Sequence, residues 1–334
     1  MRKKLLPAIR RFSNIPQKCN QHFEPKQFSL NRDINPPKPK PRTSEIMAPL
    51  NHASQEAITR LRNYIPPPTT YDSLPLSRRA AVLILLYADA KGDLRVVVTI
   101  RAKTLSSYAG DAALPGGRAD TEEETAFQTA RREASEEIGL PDSNAKFPPP
   151  FSVEHLCELP ANLAKTELVV RPCVALLHGY DPQSGLNADP EVSLIPTLDA
   201  REVAAVFTAP LMGFLKRNLD GDEWYRGAWS LWHNENWRMH QFFVRNTRNE
   251  KNSALKDGHN KKEEEVYRIF GMTARIIVDA ARVAYAQEPE FEHNSHFGDE
   301  EMIAKLRRLG RLSAVRKGSD QLTRQTMEKA AKLS

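Results

Sequence analysis

The chain has 334 residues, a formal net charge of +6 and three cysteines, enough length to bury a sizeable core as one large domain with tails or as two small ones. The charge is uneven: residues 1–43 hold 11 Lys/Arg against Glu24 and Asp33, a net +9, which leaves −3 for 44–334. The body therefore lacks the spread basic footprint of a nucleic-acid binder, and no run approaches the roughly 18 apolar residues of a membrane span.

The first stretch, MRKKLLPAIRRFSNIPQKCNQHF, has no acid before Glu24, and Arg10-Arg11-Phe12-Ser13 has the look of a matrix-processing site. Residues 1–45 are expected to form a disordered basic arm acting as a mitochondrial transit peptide, which makes the matrix the expected location and a peroxisome or the cytosol the alternatives. The terminal AKLS misses a peroxisomal tripeptide because Ser334 displaces it. NPPKPKPRT reads as a Pro/Lys linker. Cys19, Cys157 and Cys173 have no metal-like spacing, so a reducing compartment without disulfides is expected.

A domain over 46–290 follows. SQEAITRLRNYI predicts a short amphipathic helix stopped by Pro66 to Pro68. RRAAVLILLYAD and LRVVVTIRA, around Lys91-Gly92-Asp93, predict a hairpin whose first strand is apolar enough to be central. A Gly-rich loop and an acidic helix come next, then strands in TELVVRPCVALLHG and MHQFFV. Between those two, EVAAVFTAPLMGFL reads as a strand or turn leading to a short helix. GMTARIIVDAARVAY predicts a helix with Ile276, Ala280 and Val283 on one side. The polar stretch at about 246–265 reads as a mobile insertion, and 291–334 as a charged tail in which EEMIAKLRRLGRL forms one basic helix. Mixed strands and helices without repeats give α/β, or α+β, as the class.

The acidic helix poses a physical problem. Thr121 with Glu124 predicts a capping box at its start, and Gly139 with Pro141 its stop. At about 100° per residue, Phe127, Ala130, Ala134 and Ile138 share one narrow stripe, with Glu133, Glu136 and Glu137 on its flank. Acids near a helix C-terminus face the negative end of the macrodipole and repel one another. Two carboxylates about 4 Å apart at an effective dielectric near 20 repel by roughly 4 kcal/mol, so an enclosed cluster needs a cation that the written sequence does not supply. Oxygen donors alone point to Mg²⁺ or Mn²⁺, and the bland alternative is a solvated acidic face.

The order Gly116-Gly117, six residues, Glu124, seven residues, then Arg132-Glu133-Ala134-Ser135-Glu136-Glu137-Ile138-Gly139-Leu140 closely resembles the Nudix box of diphosphate-cleaving hydrolases. The family's usual spacing from Gly to the first Glu is five, which lands on Arg118 here. The extra residue after Gly-Gly, with Thr99, Arg101, Ala102, Gly110 and Pro115 upstream, is similar to the coenzyme A diphosphatase branch. Ser106 and Leu114 depart from it, standing where that branch usually has Arg and Phe.

The resemblance implies an α/β/α sandwich with a mixed central sheet, and Mg²⁺ or Mn²⁺ held by Glu133 and Glu137 with Glu136 completing or bridging the site. It implies that Arg132 pairs with Glu124, that a backbone carbonyl near Gly116 or Gly117 adds a ligand, and that Glu136 or, outside the box, Glu202 serves as general base. A coenzyme A phosphate would draw on Arg101, Lys103 or Arg118. Trp224, Trp229, Trp232 and Trp237 either line a channel or stack adenine, or else pack around a hairpin; the second is the plainer reading. His233, His240, His293 and His296 have no zinc spacing and read as surface or core histidines. The expected reaction splits coenzyme A or a derivative into 3′,5′-ADP and a 4′-phosphopantetheine product, with a small molecule as the partner and neither nucleic acid nor membrane. The alternatives are hydrolysis of other nucleoside diphosphate derivatives (oxidised nucleotides, dinucleotides, capped RNA) and an inactive interaction module of the same fold.

Overall fold

The computed structural model describes residues 50–102, 110–180, 203–232, 235–245, 266–315 and 322–333, with isolated positions between 181 and 202. Two units are distinguished, 1–44 and 45–334, and every described element belongs to the second. The expected transit peptide and the insertion at 246–265 lie outside the described residues.

In chain order come α1 (His52–Arg62), β1 (Arg79–Ala88), β2 (Leu94–Arg101), β3 (Ala112–Ala113), β4 (Gly116–Arg118), α2 (Ala126–Ile138), β5 (Ser152–Glu158), β6 (Asn162–Leu163), β7 (Val169–His178) and β8 (Val203–Pro210). A short 3-10 turn, Leu211–Leu215, precedes β9 (Asn218–Leu219), β10 (Asp222–Glu223), β11 (Tyr225–Trp232), β12 (Glu235–Arg245) and β13 (Val266–Phe270). Three helices follow: α3 (Gly271–Tyr285), α4 (Glu300–Arg308) and α5 (Arg324–Ala331).

The apolar run of β1 makes it the axis of a mixed sheet ordered β3-β2-β1-β7-β5, with β8 on β2, β6 on β7 and β4 on β1. It pairs parallel to β7 from Arg79↔Val169 to Leu86↔Leu176. At its far end it meets β2 antiparallel through the predicted hairpin, and at its near end β4, with Val82 opposite Gly116. A strand covered on both faces has no polar face to alternate with, which is why it reads as continuous hydrophobicity.

Side chains of a strand still point alternately, and the two faces of β1 feed two cores. Ile84 and Leu86 lie with α1 and α3 residues such as Ile58, Leu61, Ala274 and Ile277; Ala81, Leu83, Leu85 and Tyr87 lie with Ala130, Ala134 and Ile138 of α2. This is the α/β/α sandwich in a mixed α/β fold. Strands β11, β12 and β13 form a separate antiparallel sheet.

One boundary differs from expectation. The cap of α2 is Thr125, whose hydroxyl accepts from Gln128 N while the Gln128 side chain accepts from Thr125 N. Thr121 and Glu124 do not form it because Glu124 is committed to Arg132. Gly139 closes the helix in the left-handed region at φ 68°, as its sequence position predicts.

The charged segment after residue 290 is also integrated into the body. Ile303, Leu306, Leu312, Leu322, Met327 and Ala330 all belong to the core that contains α2. Asp299 and Glu300 accept from the backbone N–H groups of Leu163 and Ala161, and pair with the buried Arg275 at 2.9 Å and Arg171 at 3.1 Å. Glu167, 1% exposed, takes Arg78 on one oxygen and Arg311 on the other, and Arg78 donates onward to Ser313 O. Removing the charge from such a junction takes a carboxylate away from the buried guanidinium of Arg78 and from that of Arg311. Glu167→Gln is therefore expected to lower the unfolding free energy by about 3 kcal/mol, read from urea denaturation; an unchanged midpoint would mean the junction relaxes into solvent.

Candidate active site

Helix α2 lies over the sheet with its carboxylates directed at the β4 backbone. Gly116 has φ 154°, and a Cβ there would meet Ala81 O and lie 2.7 Å from Val82 Cα, so close pairing with β1 needs glycine. The Gly116 N–H donates to Glu137 Oε2 at 3.1 Å. At Gly117 the space a Cβ would take is filled by the carboxyl group of Glu133. Two of the predicted metal ligands thus converge on two consecutive glycines, and the absence of side chains there is what admits them.

Arg132 is the hub beside them. Its Nε donates to Glu124 Oε1 at 2.8 Å and its Nη2 to Arg118 O at 2.7 Å, which ties α2 to the end of β4. Nη1 lies 3.3 Å from Glu133, 3.4 Å from Glu136 and 3.5 Å from Asp120. The pairing of Arg132 with Glu124 is present as expected. The expectation that no written residue relieves the carboxylates needs correction, since this guanidinium supplies one positive charge. Four carboxylates face it, however, so the site keeps an anionic surplus.

Glu124 spends both oxygens on structure. Beyond Arg132 it accepts from Asp120 N at 2.8 Å and from Thr129 Oγ1 at 3.1 Å. The Arg132 hydrogen bond holds its carboxyl below the usual range. Glu133 moves the other way: burial raises it, and Arg132 only partly opposes the shift. A carboxylate pushed toward neutrality by enclosure is one that an added cation would return to its charged form. Glu136 is 51% exposed and touches Arg132 only at 3.4 Å.

Among the described residues no three carboxylates, imidazoles or thiols stand close enough to enclose an ion as placed. The donors nonetheless fit a hard divalent cation on three counts: they are all oxygen, they carry surplus negative charge, and Glu133 and Glu137 abut the same glycine pair.

Arg101 ends β2, its N–H donating to Asp111 O at 3.0 Å; its Nε is buried and has no hydrogen-bond partner among the described residues. Lys103, Ser106 and Glu202 lie outside those residues. An open cavity of about 540 Å³ flanks the opposite side of α2, lined by Thr121, Glu123, Phe127, Gln128 and Arg131 among others, and shares Glu124 and Arg132 with the site.

The three tryptophans whose side chains are described, Trp224, Trp229 and Trp237, do not assemble a channel. Trp224 is buried between Phe214 and Phe242 and donates to Gly213 O at 2.7 Å, whereas Trp229 is exposed beneath Arg238 and bonded to Glu292. Trp237 lies under Arg275 instead, and the side chain of Trp232 is outside the described set. Aromatic packing around the β11–β12 hairpin is the reading that holds for these three.

The described histidines read likewise, while His233 lies outside the described residues. His240 and His293 share a 2.7 Å hydrogen bond inside the body, flanked by Tyr225 and Asp279. Burial, then His293, pulls the His240 pKa from 6.5 to about 3. The folded state thus prefers neutral imidazole, and the unfolded chain binds the extra proton. Stability from this group is complete above about 6.5 and is lost as pH falls toward 3, with a slope of at most about 1.4 kcal/mol per pH unit. Denaturation midpoints measured from pH 7 to 4 are expected to fall more steeply for the wild type than for His240→Gln.

Sequence reasoning found the carboxylates, the glycines and Arg132. It missed Thr129, Asp120 and the Arg118 carbonyl, because a backbone oxygen has no sequence signature and a threonine inside a helix reads as filler.

Comparison with known proteins agrees with this geometry. The NUDIX domain family matches residues 77–155, which contain β1, β4 and α2. Nudix hydrolase 15, mitochondrial, of Arabidopsis thaliana is 35% identical over 64% of this chain and 61% of its own length. Nudix hydrolase 22, chloroplastic, of the same plant is 36% identical over 64% of this chain and 58% of its own. This chain therefore spans about three fifths of those two relatives. A solved Nudix hydrolase from M. Smegmatis, RenU, aligns over 41% of this chain and 72% of its own at 19% identity, with a TM-score of 0.28. Peroxisomal coenzyme A diphosphatase 1 of Saccharomyces cerevisiae is 30% identical over 76% of this chain and 83% of its own length. With a relative matched that completely, and the family's domain falling on the glycine pair and acidic helix, this chain belongs to the Nudix hydrolase family.

Proposed function

We propose that this chain is a Mg²⁺- or Mn²⁺-dependent hydrolase of the diphosphate bond of coenzyme A or a derivative, giving 3′,5′-ADP and a 4′-phosphopantetheine product. The observation that carries the chemistry is the convergence of Glu133 and Glu137 on the side-chain-free backbone of Gly116 and Gly117. The substrate rests on the sequence from Thr99 to Gly117 and on the name of the yeast relative.

Glu133 and Glu137 would hold the metal, with Glu136 turning in from solvent to complete the set. When bound, a divalent ion there supplies neutralisation of the bridging diphosphate and a more acidic water. The chain's own groups do the rest. Either Glu136, through an oxygen not given to the cation, or Glu202, outside the described residues, would take the proton of the attacking water. Arg132 and Glu124 keep α2 in register with β4, so the carboxylates stay aimed at the glycine pair. The Nε of Arg101, buried and without a hydrogen-bond partner among the described residues, would offer a donor to a phosphate oxygen, which supports reading Arg101 as substrate-binding. Water adds across the P–O–P bridge, and each product leaves with one of the two bridging phosphates, the nucleotide keeping its 3′-phosphate as well.

The test is turnover of coenzyme A, NADH, ADP-ribose and 8-oxo-dGTP, each with Mg²⁺ and resolved by chromatography. Preference for coenzyme A is expected. Comparable turnover of the others would replace it with a general nucleoside diphosphate hydrolase, and silence with all four would favour an interaction module. We place the chain in the mitochondrial matrix on the basic composition of 1–43; the relatives named mitochondrial and peroxisomal are consistent with that choice and with its peroxisomal alternative. A reporter fused to residues 1–43 that stays diffuse in the cytosol would overturn the placement.

A further inference from the structure

Glu124 occupies an unusual position for a residue of the acidic cluster, because it is filled with donors while its neighbours are short of them. Thr129, wholly buried in α2, reaches back with its hydroxyl to Glu124 Oε2 at 3.1 Å. Helix threonines commonly return this proton to a carbonyl of their own helix; here it goes to a carboxylate before the helix begins. The loop bearing that carboxylate is also tied to β1, since Arg79 O accepts from Ala119 N at 3.1 Å and Arg79 Nη1 donates to Glu122 O at 3.3 Å.

Arg132 has two kinds of contact. Its close partners are Glu124 at 2.8 Å and Arg118 O at 2.7 Å, and its loose ones, at 3.3 and 3.4 Å, are Glu133 and Glu136. A guanidinium that leaned further toward the latter pair would compete with a metal ion for the same oxygens. Its resting place is therefore set by the fixed Arg118 carbonyl and by how firmly the one side-chain anchor, Glu124, is held. A carboxylate on a loop would swing about its side-chain torsions unless something fixed its second oxygen, and Thr129 and the Asp120 N–H are what fix it.

We infer that Thr129 is a positioning residue for the metal site: by immobilising Glu124 it holds the Arg132 guanidinium back from Glu133 and Glu136 and leaves their oxygens available to a divalent cation. This rests on the metal-site reading above and is independent of which diphosphate is cleaved. Thr129 touches neither metal nor substrate and acts through two intervening side chains. The role is particular to a hydroxyl, since valine fills nearly the same volume and cannot donate.

The experiment is calorimetric titration of Mn²⁺ into the full chain without substrate, alongside steady-state kinetics with coenzyme A over a range of Mn²⁺. Thr129→Val is expected to weaken Mn²⁺ binding about tenfold, the scale at which groups behind metal ligands act. Its kcat should fall at low Mn²⁺ and recover at saturation, with KM for coenzyme A unmoved. Thr129→Ser restores the donor and is expected to bind Mn²⁺ as wild type does. If valine disturbs packing, Thr129→Ala, which removes the hydroxyl with less bulk, is expected to show the same loss. Wild-type affinity in both the valine and alanine proteins would overturn the role, as would equal losses in serine and valine. No Mn²⁺ uptake by the wild type would remove the metal site itself and this inference with it, whereas uptake without coenzyme A turnover would remove only the substrate.

Discussion

Glu137→Gln is expected to lower turnover by more than about a hundredfold, because residues that merely orient metal ligands already act on that scale when lost. The substitution keeps the size and shape of the side chain and removes its charge. The amide oxygen can still accept from Gly116 N, the 3.1 Å contact the carboxylate makes, so the β4 backbone has no reason to move. Folding should be nearly untouched, and far-UV circular dichroism with a denaturation midpoint checks that. What is lost is one anionic oxygen donor among the few aimed at the glycine pair. Retention of most of the activity would remove Glu137 from the site and leave the cluster as a solvated face.

Substitutions at the two glycines are expected to separate folding from chemistry, though they differ by one position. Gly116→Ala puts a methyl group into Ala81 O and against Val82 Cα, in a backbone conformation at φ 154° that L-residues rarely adopt. Neither obstacle can step aside, because both are backbone in the central strand. The expected result is a fall in the unfolding free energy of about 2 kcal/mol or more, combining strain and overpacking. Gly117→Ala meets first the carboxyl end of Glu133, which is the far end of a flexible side chain and swings away at little cost. Stability should then stay within about 0.5 kcal/mol of wild type, while Mn²⁺ affinity and turnover drop about tenfold or more as a ligand is displaced. A Gly117→Ala protein with normal Mn²⁺ binding would show that Glu133 is not held where the metal sits. The contrast between the two variants is more informative than either alone, since a general loss of structure would depress both equally.

The acidic helix was legible because each of its features is local. The stripe of Phe127, Ala130, Ala134 and Ile138 follows from helical periodicity, and Ala130, Ala134 and Ile138 are wholly buried. Gly139 stops the helix through its own backbone freedom. The centrality of β1 could be read from an unbroken apolar run, because only a strand covered on both faces can be made of one. The N-cap was misplaced for a reason that is not local: Thr121 and Glu124 satisfy a short-range rule, and Arg132, eight residues on, takes Glu124 out of it.

What the amino-acid order determined by itself was the periodic elements, the glycine pair and the identity of the carboxylates, all of which depend on neighbours a turn or a strand residue away. The tertiary fold decided which charges meet. Arg78 with Glu167 and Arg311, Asp299 with Arg275, and the filling of the Gly117 void by Glu133 join residues far apart in the chain. Charged residues after 290 look like a solvated tail in one dimension, because nothing in their spacing records that Arg171, Arg275 and Glu167 wait for them in the body. The physical reason is that an ion pair is specified by proximity alone, and proximity between distant residues exists only once the sheet has formed.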